Sequence, residues 1–298
     1  MNEQKLQEIL AGLGIREMPA AVKPFHGEED GAEYTVWRVD LQTGPKVLKK
    51  TTRQERSVYE TFLMGLAAVP RCYGFYETGD DVYMLMEFVP GQTLSRCTRE
   101  KLTLALDALI ELQNAWWQDE AHAEAGLSFD RCYESRQKWL PHMADLTEAF
   151  EAYLEAFRTV PRTLCNDDML PFNVLTDQNR AVILDWEYGG ILPYPCALAR
   201  LLAFGEEDGD MFRMTEEDRS FALTYYYEKL IKPRGISRAE YDKTMDLFFL
   251  KEYSEWVYCA GISGDYEMEY YKKYSKKART LARKLGLLKE KEVTQCSD

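Results

Sequence analysis

From about residue 20 to residue 90 the apolar positions fall in short runs separated by turns, the pattern of strands. Residues 33–40 alternate apolar and polar side chains, Gln42-Thr43-Gly44-Pro45 is a turn, and residues 46–50 make a second strand. Strands follow at 71–77 and 82–89, joined by the hairpin turn Thr78-Gly79-Asp80-Asp81. Two stretches in this part have helical spacing instead: residues 3–13, and 52–66 through Val58, Phe62 and Leu66. After Pro90-Gly91 the character changes. Residues 100–125 and 144–157 are long helical patterns, and helix resumes at Glu216 and runs nearly to the end, leaving one non-helical island at 164–186. The pattern predicts an α+β fold of two lobes with a cleft between them. An antiparallel N-terminal lobe spans 1–89, a hinge lies at about 87–91, and a mostly helical lobe spans 90–298.

Composition narrows the function. With 298 residues, 46% hydrophobic and 29% charged, the chain reads as an ordinary soluble globular protein. No run approaches the roughly 18 apolar residues of a membrane helix, so no membrane insertion is expected. Met1 to Lys5 shows no basic head before an apolar run, so no signal peptide is expected. A net charge of −13 argues against a nucleic-acid partner. Residues 88–270 hold 18 basic against 33 acidic side chains, a field that draws cations and admits an anion best with a metal. Residues 271–292 are the basic exception, nine Lys/Arg against two Glu, and read as a solvated helix face. Seven scattered cysteines without a Cys-x-x-Cys, and three histidines, fit neither a disulfide framework nor a structural zinc site. A reducing, cytoplasmic location is the expectation.

The island carries the chemistry. Asp167-Asp168 and Asn173 are followed by a turn, the apolar strand Ala181-Val182-Ile183-Leu184, and then Asp185-Trp186-Glu187. An Asp, an Asn five residues on and a second Asp after a buried strand is how a phosphoryl-transfer site gathers oxygen ligands. One carboxylate accepts a hydroxyl proton, while an amide oxygen and a second carboxylate hold Mg²⁺ on the nucleotide phosphates. Mg²⁺ prefers hard oxygen donors, so such a site needs neither Cys nor His. Upstream, Lys46-Val47-Leu48-Lys49-Lys50 puts a lysine at the end of an apolar strand, and Glu55 opens the next helix. Lys49 fits the phosphate-orienting position best. Lys50 is the competitor, and its side chain is expected on the other side of the strand.

With Val69-Pro70-Arg71-Cys72-Tyr73-Gly74, the run Met84 to Gly91 and Ile183-Leu184-Asp185-Trp186-Glu187-Tyr188, the chain resembles the aminoglycoside phosphotransferase and choline kinase superfamily, which has a protein-kinase-like fold. The resemblance covers nearly the whole length. It implies an ATP- and Mg²⁺-dependent kinase in which Asp168 is the base and Asn173 and Asp185 bind the metal. Lys49 with Glu55 orients the phosphates, and backbone groups of Glu87, Phe88 and Val89 meet adenine. Gly27 and Gly31 lie where the family carries a phosphate-covering hairpin, but three acids between them also suit an exposed turn. Two positions depart from the family: Asn166 replaces the usual His, and Ala197 stands in place of an Asp. Both lost residues brace the catalytic loop, so the bracing here is expected to differ.

For the acceptor, Tyr253 and Trp256 sit at i, i+3 on one helix face, the spacing of the amine cage in choline and ethanolamine kinases, and equally of core packing. With Glu187 they are the candidate substrate residues. The expected reaction transfers the γ-phosphate to a hydroxyl of a small cationic molecule, an amino-alcohol first and an aminoglycoside or other amino sugar second. A non-catalytic nucleotide-binding protein is the rival of another class.

Overall fold

The computed structural model describes residues 3–26, 33–205 and 212–288. Helix α1 (Glu3–Gly12) precedes five strands, β1 (Ala21–His26), β2 (Glu33–Leu41), β3 (Gly44–Thr51), β4 (Cys72–Thr78) and β5 (Asp81–Glu87). These form one antiparallel sheet in the order β1-β2-β3-β5-β4. The register aligns Trp37, Leu48 and Leu85 across three strands, and Arg38, Val47 and Met86 one residue away. Because side chains alternate, the first row faces one side and the second the other. Trp37, Leu48 and Leu85 join Leu6, Ile9 and Leu10 of α1 in a buried cluster of their own. The opposite face, with Val47, Met84 and Met86, packs toward the main core. Between β3 and β4, Thr52 caps α2 (Arg53–Val58) by accepting from the Glu55 N–H, and a wider helical turn carries the chain on to Leu63.

The rest is mostly helical. After the short strand β6 (Gln92–Thr93) come α3 (Arg99–Ala115), α4 (Phe129–Gln137) and α5 (Thr147–Thr159). Strands β7 (Arg162–Asn166), β8 (Val174–Thr176), β9 (Ala181–Ile183) and β10 (Gly189–Pro193) then build the island. The chain finishes with α6 (Pro195–Leu202), α7 (Glu216–Tyr226), α8 (Arg238–Ser263) and α9 (Glu269–Lys284). Strand β7 pairs with β10, and β8 lies between β6 and β9. Helix α8 is the central post, with Tyr241, Leu247, Phe248, Leu250, Tyr253 and Val257 buried. No helix among the described residues is long and apolar enough to cross a membrane.

Three of the differences from the sequence reading have a clear physical cause. Helix α3 stops at Ala115, ten residues before the predicted end, because Trp116 turns edge-on against Phe62 and His122 while the Gln118 N–H bonds to Arg162 O. The non-helical island runs on to Pro193, since Gly126 and Gly190 allow β10 to lie directly against residues 126–127. Helix α6 was hidden because seven of its eight residues are buried, which leaves no polar face to mark a period.

Candidate active site

The pleat of β3 separates its two lysines. Lys49 Nζ lies 2.8 Å from Glu55 Oε1, 2.7 Å from Glu55 Oε2 and 2.8 Å from Asp185 Oδ1. Lys50 points away and pairs with Asp81 at 2.6 Å. Glu55 is 1% exposed and also accepts from Thr51 Oγ1 and from the Trp186 N–H at 3.0 Å. One buried carboxylate thus ties the sheet, α2 and the Asp185 turn together. Burial alone would pull the Lys49 ammonium down; Glu55 and Asp185 reverse this and hold it above its ordinary range. Lys49→Met is therefore expected to lower turnover by about a hundredfold or more, the cost of one preorganised charge donor. Lys50→Met should stay within about threefold of the parent, since its partner is an exposed salt bridge. Parallel steady-state assays of the two variants check this, and equal losses would reject the distinction.

Strand β7 delivers Asn166, Asp167 and Asp168 to the cleft. Asn166 does the bracing: its side-chain N–H₂ donates to Leu184 O at 3.1 Å and Asp185 O at 2.8 Å, while its Oδ1 accepts from the Asp168 N–H at 3.0 Å. The amide thereby locks the Asp168 loop to the Asp185 turn. That turn needs holding, because Asp185 adopts a left-handed conformation (φ 53°, ψ 71°), unfavourable for a residue with a side chain. Asn173 adds a second tie. Its Nδ2 donates to Asp168 O at 2.9 Å, and its carbonyl accepts from the Leu184 N–H at 2.8 Å.

The adjacent aspartates point in different directions. Asp167 turns inward, where Arg136 Nη2 lies 2.7 Å from both carboxylate oxygens. Burial would raise the Asp167 carboxyl, but Arg136, with Lys251 and Arg200, holds it below the ordinary range. Asp168 faces the cleft, and burial raises its carboxyl while Arg200 at 3.0 Å opposes the shift. Of the two carboxylates, Asp168 is therefore the more open to the cleft.

Asp185 is half exposed, with one oxygen on Lys49. The Asn173 Nδ2 is committed to the loop, which leaves Oδ1 as its remaining donor. These two oxygens fit Mg²⁺, which takes one or two protein ligands and completes its shell with phosphate and water. Among the described residues no group of three or more His, Cys, Asp or Glu forms a closed metal cage. At residues 87–89, Glu87 accepts from Arg180 Nη2 at 2.6 Å and from the Arg71 N–H at 3.2 Å, Val89 is buried, and the Arg38 guanidinium lies 4.7 Å from the Phe88 ring centroid. Gly27 and Gly31 lie outside the described residues.

The candidate substrate residues divide. Glu187 stands beside Asp185, and burial together with the charges of Asp185 and Glu55 raises its carboxyl. Tyr253 is buried, its ring stacked on Tyr274 of α9 at 5.7 Å and edge-on to Phe204. Trp256 stacks on Tyr270 at 4.5 Å. The pair thus packs α8 against α9, while the residue before each, Glu252 and Glu255, reaches Arg200 beside Asp168.

Residues 25–230, more than two thirds of the chain, match the phosphotransferase enzyme family (APH). The chain belongs to that family. None of the curated proteins matches significantly. Among solved structures the phosphotransferase is similar to a choline/ethanolamine kinase family protein from Mesorhizobium loti, at 14% identity over 96% of both chains and a TM-score of 0.59. It is also similar to an amicoumacin kinase in complex with AMP-PNP, Ca²⁺ and Ami, at 13% identity over 96% of this chain and 93% of that one, with a TM-score of 0.60. A choline kinase from Cryptosporidium parvum Iowa II covers 89% of each chain at 14% identity, with a TM-score of 0.56. These likenesses show the kinase-like fold. Within this phosphotransferase, sequence reasoning missed Arg136, Arg200, Glu252, Glu255 and Tyr188. Tyr188 is 49% exposed beside Glu187, Asp168 and Asp185, and it closes the Asp-Trp-Glu-Tyr run already singled out. The two arginines and two glutamates carry no local motif, because they meet only through tertiary packing.

Proposed function

We propose that this phosphotransferase moves the γ-phosphoryl group of ATP to a hydroxyl of a small cationic molecule, with Mg²⁺ held by Asn173 and Asp185. One observation carries the reading: Lys49, Glu55 and Asp185 are joined across the cleft, and Asn166 and Asn173 fix Asp168 next to them. Bound Mg²⁺ would neutralise charge on the phosphates and orient them. Lys49 steadies the α/β-phosphates, and Glu55 holds its ammonium in place. Asp168 accepts the acceptor's hydroxyl proton as the oxygen attacks. Lys49 leads in the phosphate role over Lys50, and the sheet lobe with its hinge at 87–91 takes the nucleotide while the helical lobe takes the acceptor. The named structural neighbours include choline and choline/ethanolamine kinases, and an amino-alcohol is the leading acceptor class. The half-exposed carboxylate of Glu255 near Asp168 favours an amine that carries N–H, which keeps aminated sugars as the second class. Exposed Tyr188 supplies an aromatic face for either cation.

ADP release from Mg-ATP across choline, ethanolamine, glucosamine and kanamycin tests the reading. Turnover stimulated by one class is expected. Mg-ATP binding without stimulation by any of them would reject both acceptor classes, and no Mg-ATP binding would reject the function.

A further inference from the structure

Arg200 of α6 belongs to no motif, yet it joins the Asp168 carboxylate to helix α8. Its Nε and Nη2 lie 3.2 and 3.0 Å from the same oxygen, Asp168 Oδ1. Its Nη1 lies 3.0 Å from Glu252 and 3.0 Å from Glu255, both on α8. Glu252 is fixed in turn by Lys251 at 3.0 Å, and the guanidinium sits 5.6 Å from the Phe204 ring centroid. The arginine side chain is 16% exposed, so these bonds are poorly screened.

A carboxylate rotates easily about its last torsion, and a base is useful only while the correct oxygen faces the hydroxyl. Two donors on Oδ1 remove that freedom. They leave Oδ2, which accepts no hydrogen bond among the described residues, for the incoming hydroxyl. Only a planar fork with donors on both edges can hold Asp168 on one side and two glutamates on the other. We propose that Arg200 is a positioning residue that fixes Asp168 for proton acceptance and ties that orientation to α8 through Glu252 and Glu255. The role rests on the phosphotransferase reading above. It makes α8 a determinant of kcat as well as of acceptor affinity, because any shift of Glu255 moves the guanidinium that aims the base.

The test is a mutant cycle of Arg200→Met, Glu255→Gln and the double variant, with Arg200→Lys as the charge-preserving control. Turnover is read as ADP release with the most active panel acceptor, and with water as acceptor where none is active. Nucleotide KM and the thermal midpoint are recorded alongside. Arg200→Met is expected to lower kcat by about a hundredfold, the scale of a roughly 1 Å misplacement, with the KM for Mg-ATP within about threefold. Arg200→Lys should recover part of that loss. Glu255→Gln should lower kcat by about fivefold in the parent and by almost nothing in the Arg200→Met background, because the two act through one contact. The proposal is overturned if Arg200→Met keeps kcat within about threefold, or if the two substitutions act independently. It is also overturned if kcat and nucleotide affinity fall together with the thermal midpoint and lysine restores neither. A parent protein that releases no ADP with any acceptor or with water fails earlier, and that result rejects the function itself.

Discussion

Asp168→Asn lowers kcat by about a thousandfold while Mg-ATP affinity stays within about threefold of the parent. The amide keeps the shape of the side chain and an oxygen for Arg200, so the loop geometry held by Asn166 and Asn173 survives. What it loses is the capacity to take a proton, and a positioned general base contributes roughly 10²–10⁴ in rate. In the proposed reading nucleotide affinity rests on other groups, Lys49 and Asp185 above all, neither of which bonds Asp168. Steady-state kinetics with calorimetric Mg-ATP binding separates the two effects. A variant retaining a tenth or more of parental turnover would remove Asp168 as the base.

The second large effect is on stability. Arg136 is 4% exposed, donates to both oxygens of Asp167 and covers the Phe157 ring at 4.3 Å. Arg136→Ala leaves Asp167 without its main partner behind the catalytic loop and opens a void against Phe157. Removing one member of a buried pair costs about 3–5 kcal/mol, because the remaining charge stays uncompensated. For a chain of this size that corresponds to a fall of roughly 10 °C in thermal midpoint. The double substitution Arg136→Met with Asp167→Leu should recover much of the loss, since no unpaired charge then remains. Thermal and urea unfolding of both variants measures this. A loss below about 1 kcal/mol for Arg136→Ala would show that the pair is not the brace described.

Much of this architecture was legible in the linear pattern, and the exceptions have physical causes. Alternation over residues 33–40 and the turns at 42–45 and 78–81 mark the sheet in the sequence, although both of its faces are packed, one against α1 and the other toward the main core. The same period separated Lys49 from Lys50. Helix α6 escaped because burial on all sides erases periodicity. The end of α3 escaped because Trp116 and Gln118 answer to contacts with Phe62 and Arg162, which lie far away in sequence. At the site, the Asp–Asn–Asp spacing was readable because a loop and a turn hold those groups locally. The Arg200 junction draws from three separate segments, and no spacing rule joins residues 168, 200 and 255. The replacement at position 166 was visible as a change, but its consequence was not. Asn166 keeps both loops in place by donating to two carbonyls and accepting from one N–H. The tyrosine and tryptophan at 253 and 256 show the converse risk, since helical spacing serves an amine cage and an interhelical stack equally well.

Transfer of phosphate to a hydroxyl is tested most directly by following the phosphate itself. The parent protein and Asp168→Asn are incubated with γ-labelled ATP, Mg²⁺ and each amino-alcohol or amino sugar in turn, and the label is traced by mass spectrometry. Label is expected on the hydroxyl oxygen of one acceptor class with the parent and almost none with the variant. Label recovered only as inorganic phosphate, or equal transfer by both proteins, would contradict it.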